Sequence, residues 1–177
     1  MWRTGPYYAG MPWDVAVCCP RCDREASFTP PHYALFDRDA RAARDNVSIM
    51  GMGDDRYYRV IRYPKLLPWS HPSNREYNWH KGEGWGICIC PACGYHNKHL
   101  LNWPSDAYYA VQIRDHMLWA WNRQYATAHR QYLEAPEQPP AYSPEINNIL
   151  VQVPKTFRLK RNRELARKKL ARLLLPS

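Results

Sequence analysis

No stretch of about 18 consecutive apolar residues occurs in this 177-residue chain, so the sequence offers no transmembrane helix. Met1–Gly10 contains one Arg and two Tyr but no apolar centre, which argues against a secretory signal. Without such a signal, six cysteines, most of them in closely spaced pairs, point to a reducing compartment, and the chain is expected to be cytoplasmic. Internal repeats and low-complexity segments are missing too. Gly51-Met52-Gly53-Asp54-Asp55 lacks the Lys-Ser/Thr and helix that complete a phosphate-binding loop, and it reads as a turn. No nucleophile–base pair or open metal constellation is visible, which makes an enzyme the least favoured class. Phenylalanine is scarce, three residues against eight Trp and thirteen Tyr, so most rings carry a polar tip suited to packed but wet surfaces. Sixteen prolines imply many turns and short strands. The length suffices for one real core.

Two short runs organise what is present. Cys19-Pro20-Arg21-Cys22 and Cys90-Pro91-Ala92-Cys93-Gly94 are C-x₂-C hooks, each with Pro after the first Cys. Two intervening residues let a tight turn aim both sulfurs at one point, and two hooks supply four thiolates, the tetrahedral set of a structural Zn²⁺ site. At these residues the chain resembles the zinc-ribbon superfamily. The resemblance covers the hooks and their flanks and implies one structural zinc and a local fold, not a reaction. An iron–sulfur cluster or a redox-active pair are the other uses of such hooks.

The ribbon pattern usually separates its hooks by roughly 15–20 residues, whereas here residues 23–89 intervene. Lengthening a closed loop from ~15 to ~67 residues costs only about 1.3 kcal/mol, against roughly 10–16 kcal/mol from a structural zinc. The insertion is therefore tolerable if it folds on its own account. Cys18 and Cys88 are left over. Cys88 shares a strand face with Cys90 and reads either as a nearby extra sulfur or, more simply, as a small buried apolar residue.

The expected class is α+β. Residues 1–135 form a zinc-ribbon core with the 23–89 insertion and a long helix over 105–135. Residues 136–177 add a linker, a short helix and a basic C-terminal helix packed on the same core. Trp13–Cys18 and Asp23–Phe28 read as strands around the first hook, and Ile87–Cys90 and Tyr95–Trp103 as strands around the second. Within the insertion, Tyr33–Asn46 permits a short helix through Ala40, Ala42 and Ala43. Arg56–Tyr63 is a strand in which basic and aromatic residues interleave, as on single-stranded nucleic-acid platforms or on any half-exposed strand. Residues 66–86 form a long loop carrying Trp69, His71, Tyr77, Trp79, His80, Lys81 and Trp85, the place for a pocket if there is one. His96 and His99 fall on opposite strand faces and make poor co-ligands.

Pro104 and Ser105 read as the start of a helix running to about Ala135, with room for a break near Arg114, and Met117, Leu118, Trp121, Tyr125, Ala128 and Tyr132 form one stripe. Trp119, Arg123, Ala126 and Arg130 fall on the opposite side, which makes Trp119, Arg123 and Arg130 candidates for contact with a protein partner. Ser143-Pro144-Glu145 starts a short helix ending by Val153. The last helix, about 156–174, places Leu159, Ala166, Leu170, Leu173 and Leu174 in a stripe marred by Arg163.

Acid is scarcest in that last helix. Nine Lys and Arg lie between Lys155 and Arg172 against Glu164 alone, so this segment accounts for nearly all of the net charge of +9. Phosphate backbones reward such a face through counterion release. The leading expectation is a non-catalytic, zinc-stabilised nucleic-acid-binding protein whose contacts are Arg158, Lys160, Arg161, Arg167, Lys168, Lys169 and Arg172. The second is a zinc-stabilised adaptor binding a protein through Trp119 and the basic tail, and the third an enzyme with a pocket in the 66–86 loop. A membrane surface is disfavoured, because the stripe lacks a central Trp or Phe.

Overall fold

A computed structural model describes residues 2–3, 11–30, 32–37, 57–62, 75–76, 84–137 and 141–175. It has mixed helices and antiparallel sheets, the α+β class, and divides into two units, Met1–Trp13 with Cys19–Asn102, and Asp14–Cys18 with Trp103–Ser177. In chain order the strands are β1 (Trp2–Arg3), β2 (Val15–Cys18), β3 (Glu25–Thr29), β4 (His32–Asp37), β5 (Tyr57–Arg62), β6 (Arg75–Glu76), β7 (Trp85–Ile89), β8 (His96–Leu100), β9 (Tyr109–Ile113) and β10 (His116–Ala120). The helices are α1 (Arg123–Glu134), α2 (Pro144–Leu150), α3 (Lys155–Arg158) and α4 (Lys160–Leu173).

The first unit holds one sheet in the order β1-β4-β5-β6, with Tyr33 opposite Ile61 and Phe36 opposite Tyr58. This corrects the helix expected over Tyr33–Asn46. His32–Asp37 is instead an extended partner for the aromatic strand β5, and a ladder across six residue pairs outweighs a modest helix preference. Ala40, Ala42, Ala43 and the turn at 51–55 lie outside the described residues, as does most of the 66–86 loop.

The same unit aligns β3, β7 and β8, Phe28 facing Cys88 and Cys88 facing Asn97. Phe28, Ile87 and Cys88 are fully buried. Gly86 makes this packing possible, because a Cβ there would overlap the Phe28 ring and come 2.6 Å from the Thr29 carbonyl oxygen. The His99 ring meets Phe28 edge-on at 6.2 Å.

In the second unit the expected helix over 105–135 is a hairpin followed by a shorter helix. β9 pairs with β10 in antiparallel register, Ile113 opposite His116 and Tyr109 opposite Ala120. Tyr109, Val111 and Ile113 are buried, with more exposed residues between them, a period of two that overrides the helical spacing. The connection is Arg114-Asp115, with Arg114 at φ 52°. Such turns usually advertise themselves with Asn-Gly or Asp-Gly, and this one carries no glycine. β2 joins the group through its backbone, Ala16 N–H donating to Trp121 O at 2.6 Å and Tyr108 N–H to Ala16 O at 3.1 Å.

The cap of α1 is Asn122, not Ser105. Its Oδ1 accepts from the backbone N–H of Gln124 at 3.0 Å and of Tyr125 at 3.3 Å. Tyr125, Ala126, Ala128, His129 and Leu133 are buried, so Ala126, expected on the outer side, faces the core. Helix α2 begins as expected, with Ser143 as N-cap and Pro144 in the first turn, and buries Ile146, Ile149 and Leu150.

The expected single helix over 156–174 is broken at Leu159, whose ψ is 132°. The cause is geometric. Phe157 and Ala166 are both fully buried, yet nine residues at about 100° each would put them on opposite sides of one continuous helix. Extending residue 159 turns both inward and leaves Leu159 itself 63% exposed, outside the stripe it was expected to join. Beyond the break α4 packs on α1 and β9 through Ala166 and Leu170, while Leu173 and Leu174 are half-buried.

Candidate metal centre and basic helix face

The two hooks are built alike. Cys19 N–H donates to Arg24 O at 2.8 Å and Asp23 N–H to Cys19 O at 2.9 Å; in the second hook Cys90 N–H donates to Tyr95 O at 2.8 Å and Gly94 N–H to Cys90 O at 3.0 Å. The fifth residue of each turn is left-handed, Asp23 at φ 58° and Gly94 at φ 70°. Asp tolerates this region better than most residues, which lets it stand where the second hook has glycine. Arg21 N–H also points at Cys19 Sγ, 3.4 Å away.

The β3–β7 ladder brings the hooks together. Cys19 Sγ lies 3.6 Å from Cys93 Sγ, Cys22 Sγ lies 3.6 Å from Cys90 Sγ, and all four sulfurs fall within 4.8 Å of one another. A tetrahedral ion with four thiolates at about 2.3 Å has sulfur–sulfur edges of about 3.8 Å, so the donor set fits a single metal ion. The separations exceed a disulfide bond of about 2.05 Å. Cys19 and Cys90 are buried and Cys22 and Cys93 half-buried. Cys18 and Cys88 are not in the cluster; Cys88 is buried in the sheet, and Cys18 belongs to the second unit.

The thiols do not ionise alike. The Arg24 backbone favours the Cys22 thiolate, but burial and the sulfurs of Cys93, Cys90 and Cys19 outweigh it and push Cys22 up to about 12. Burial also raises Cys19. Burial opposes ionisation of Cys90 as well, yet the backbone N–H groups of Cys93 and Ala92, with the Cys22 and Cys19 thiols, bring it down to about 7. Four thiolates this close repel one another, and a bound cation is what makes full deprotonation favourable.

The basic residues divide by position. Arg158, Lys160, Arg161, Lys168, Lys169 and Arg172 are exposed. Arg167 is partly withdrawn, its guanidinium 3.7 Å from Glu134 and 3.8 Å from Glu164. Lys169 Nζ donates to Gln112 O at 3.2 Å. Arg163 is half-buried.

The face expected to join Trp119, Arg123 and Arg130 does not exist as a helical face, because Trp119 is on β10. It is half-buried, its ring 5.2 Å from Trp103 and 5.0 Å from Trp121, while Trp103 and Trp121 stack at 4.2 Å. Arg123 is exposed, donates to Leu174 O at 2.8 Å and lies over the Tyr109 ring; Arg130 is half-buried. Sequence reasoning missed His129, which is 2% exposed on α1. Burial pulls its pKa down to about 4, opposed only in part by the nearby Trp119 backbone. Its signal was the helical spacing from Tyr125, hidden because the expected stripe was phased on Met117, Leu118 and Trp121, which precede the helix.

Four clustered thiols able to hold one metal ion, on an α+β chain, are the class-level features that the fold and site define. No family model, curated protein or solved structure matches the chain.

Proposed function

We propose that this chain is a zinc-stabilised, non-catalytic nucleic-acid-binding protein. In this reading Cys19, Cys22, Cys90 and Cys93 hold one structural zinc in a ribbon-like site. All four positions are protein sulfurs, leaving no open coordination position for catalysis. The exposed side of α4 then meets phosphate. The observation that carries the binding role is the docking of α4. Ala166 and Leu170 are buried while Arg161, Lys168, Lys169 and Arg172 stay exposed, with Arg158 and Lys160 at its start. A face that keeps so many cations beside one acid suits a polyanion better than a solubility role.

An adaptor role through Trp119, Arg123 and Arg130 has less support, since Trp119 packs against two other rings and Arg123 is engaged with the Leu174 carbonyl. The test is salt. Six exposed cations at about 0.7–0.9 per phosphate contact give a slope of about −4 to −5 in log K against log salt. Fluorescence anisotropy with single-stranded and duplex probes measures it. Lys168→Glu with Lys169→Glu should weaken binding to every probe and flatten the slope by about 1.5. Affinity that does not change between low and moderate salt would overturn the reading.

A further inference from the structure

His129 is unused by the metal centre and the basic face. Among the described residues its Nδ1 and Nε2 are both buried without a hydrogen bond of good geometry, though the Trp119 backbone lies near enough to act on the ring, and a polar side chain held that way in a native core leaves hydrogen-bonding capacity for an occupant. The space exists. His129 borders a half-open cleft of ≈ 90 Å³ in the second unit, with Leu118 and Trp119 of β10, Ile149 of α2, and Gln152 and Val153 of the turn that follows. No lining side chain other than the imidazole can carry a charge.

We propose that this cleft binds a small uncharged molecule that has an apolar ring or short chain and one hydroxyl group, the hydroxyl pairing with the His129 imidazole. A neutral imidazole presents one N–H and one lone pair. A hydroxyl both donates and accepts, so it satisfies whichever nitrogen faces the cleft, whereas an ammonium serves only the lone pair and a carboxylate only the N–H. Either ion would also be stripped of water beside Leu118, Ile149 and Val153 with no opposite charge to meet it. The apolar body finds its partner in those aliphatic side chains and the Trp119 ring. Water has the hydroxyl without the body, and is the competing occupant.

Phenol, benzene and benzoate are the probes, added to the full chain while the imidazole ¹⁵N resonances of His129 are followed by two-bond ¹H–¹⁵N correlation. Phenol should saturate with a Kd in the millimolar range, as befits so few heavy atoms, and move both His129 nitrogen resonances. Benzene should bind roughly 3–10-fold more weakly, the usual worth of one hydrogen bond, and benzoate should not bind. In His129→Leu, followed instead at the Trp119 indole ¹H–¹⁵N resonance beside the same cleft, the preference for phenol over benzene should be lost. Ile149→Trp, filling the cleft from the opposite wall, should abolish both. The wild-type comparison decides the matter even if a variant fails to fold. Resonances unmoved by phenol at up to about 20 mM, or moved equally by benzene or benzoate, would mean that the cleft holds only water or selects no hydroxyl, and the proposal would be wrong.

Discussion

Replacing one hook cysteine by serine removes one corner of the sulfur tetrahedron, and the structure sets how much that should matter. Each hook is stabilised internally by its own pair of backbone hydrogen bonds. Between the hooks, the β3–β7 ladder supplies the pairs Ser27–Ile89, Phe28–Cys88 and Thr29–Ile87. A structural zinc contributes roughly 10–16 kcal/mol, as much as the whole net stability of about 5–15 kcal/mol of a typical domain. Cys19→Ser, Cys22→Ser, Cys90→Ser and Cys93→Ser should therefore each lose the metal and open the β3–β7–β8 region. Cys18→Ser and Cys88→Ser should keep one ion per chain, the latter at a packing cost because Cys88 is fully buried. Metal analysis of the purified variants gives the stoichiometry. Hydrogen exchange at the Asp23 and Gly94 amides, which donate to Cys19 O and Cys90 O, reports the hooks directly. Two results would refute the reasoning: protection at those amides that survives metal removal unchanged, or a metal lost in Cys88→Ser but kept in Cys22→Ser.

Gly86→Ala should cost about 2–3 kcal/mol in denaturant unfolding, since its Cβ would overlap the Phe28 ring and crowd the Thr29 carbonyl; a loss below about 0.5 kcal/mol would mean that β3 and β7 adjust freely. His129 is neutral when folded, its pKa depressed from 6.5 to about 4, so the unfolded chain takes up its proton first as pH falls. Its stabilising share is whole above about pH 6.5 and is lost as pH drops toward 4, roughly 3 kcal/mol in all. The stability of wild type relative to His129→Leu should fall by about that amount across this window, and a constant difference would contradict the burial argument.

What could be read from the chain was local. The hooks depend on two-residue spacing and on Pro and Gly at fixed offsets, and turn chemistry of this kind is decided by near neighbours. The start of α2 at Ser143-Pro144, the strands on either side of each hook and the cationic run beyond Lys155 are legible for the same reason. That Asp23 takes the left-handed place held by Gly94 was not legible, because aspartate occurs in many other settings.

Packing settled the rest. Residues 109–120 contain side chains that suit helix and strand about equally, and without a glycine turn the sequence suggests a break near Arg114 only as an interruption of a helix; a strand wins there because it pairs β9 with β10 and buries Tyr109, Val111 and Ile113 on one face. The break at Leu159 has the same origin, since only the need to bury Phe157 and Ala166 together forbids a continuous helix. The partners of Phe28 and the cleft beside His129 join residues far apart in sequence. Sequence alone settled the choices whose energy lies within a turn, such as the two hooks and the Ser143-Pro144 helix start. Tertiary structure settled those whose local alternatives were nearly equal in energy, because there the free energy of burying a side chain exceeds the difference in backbone preference.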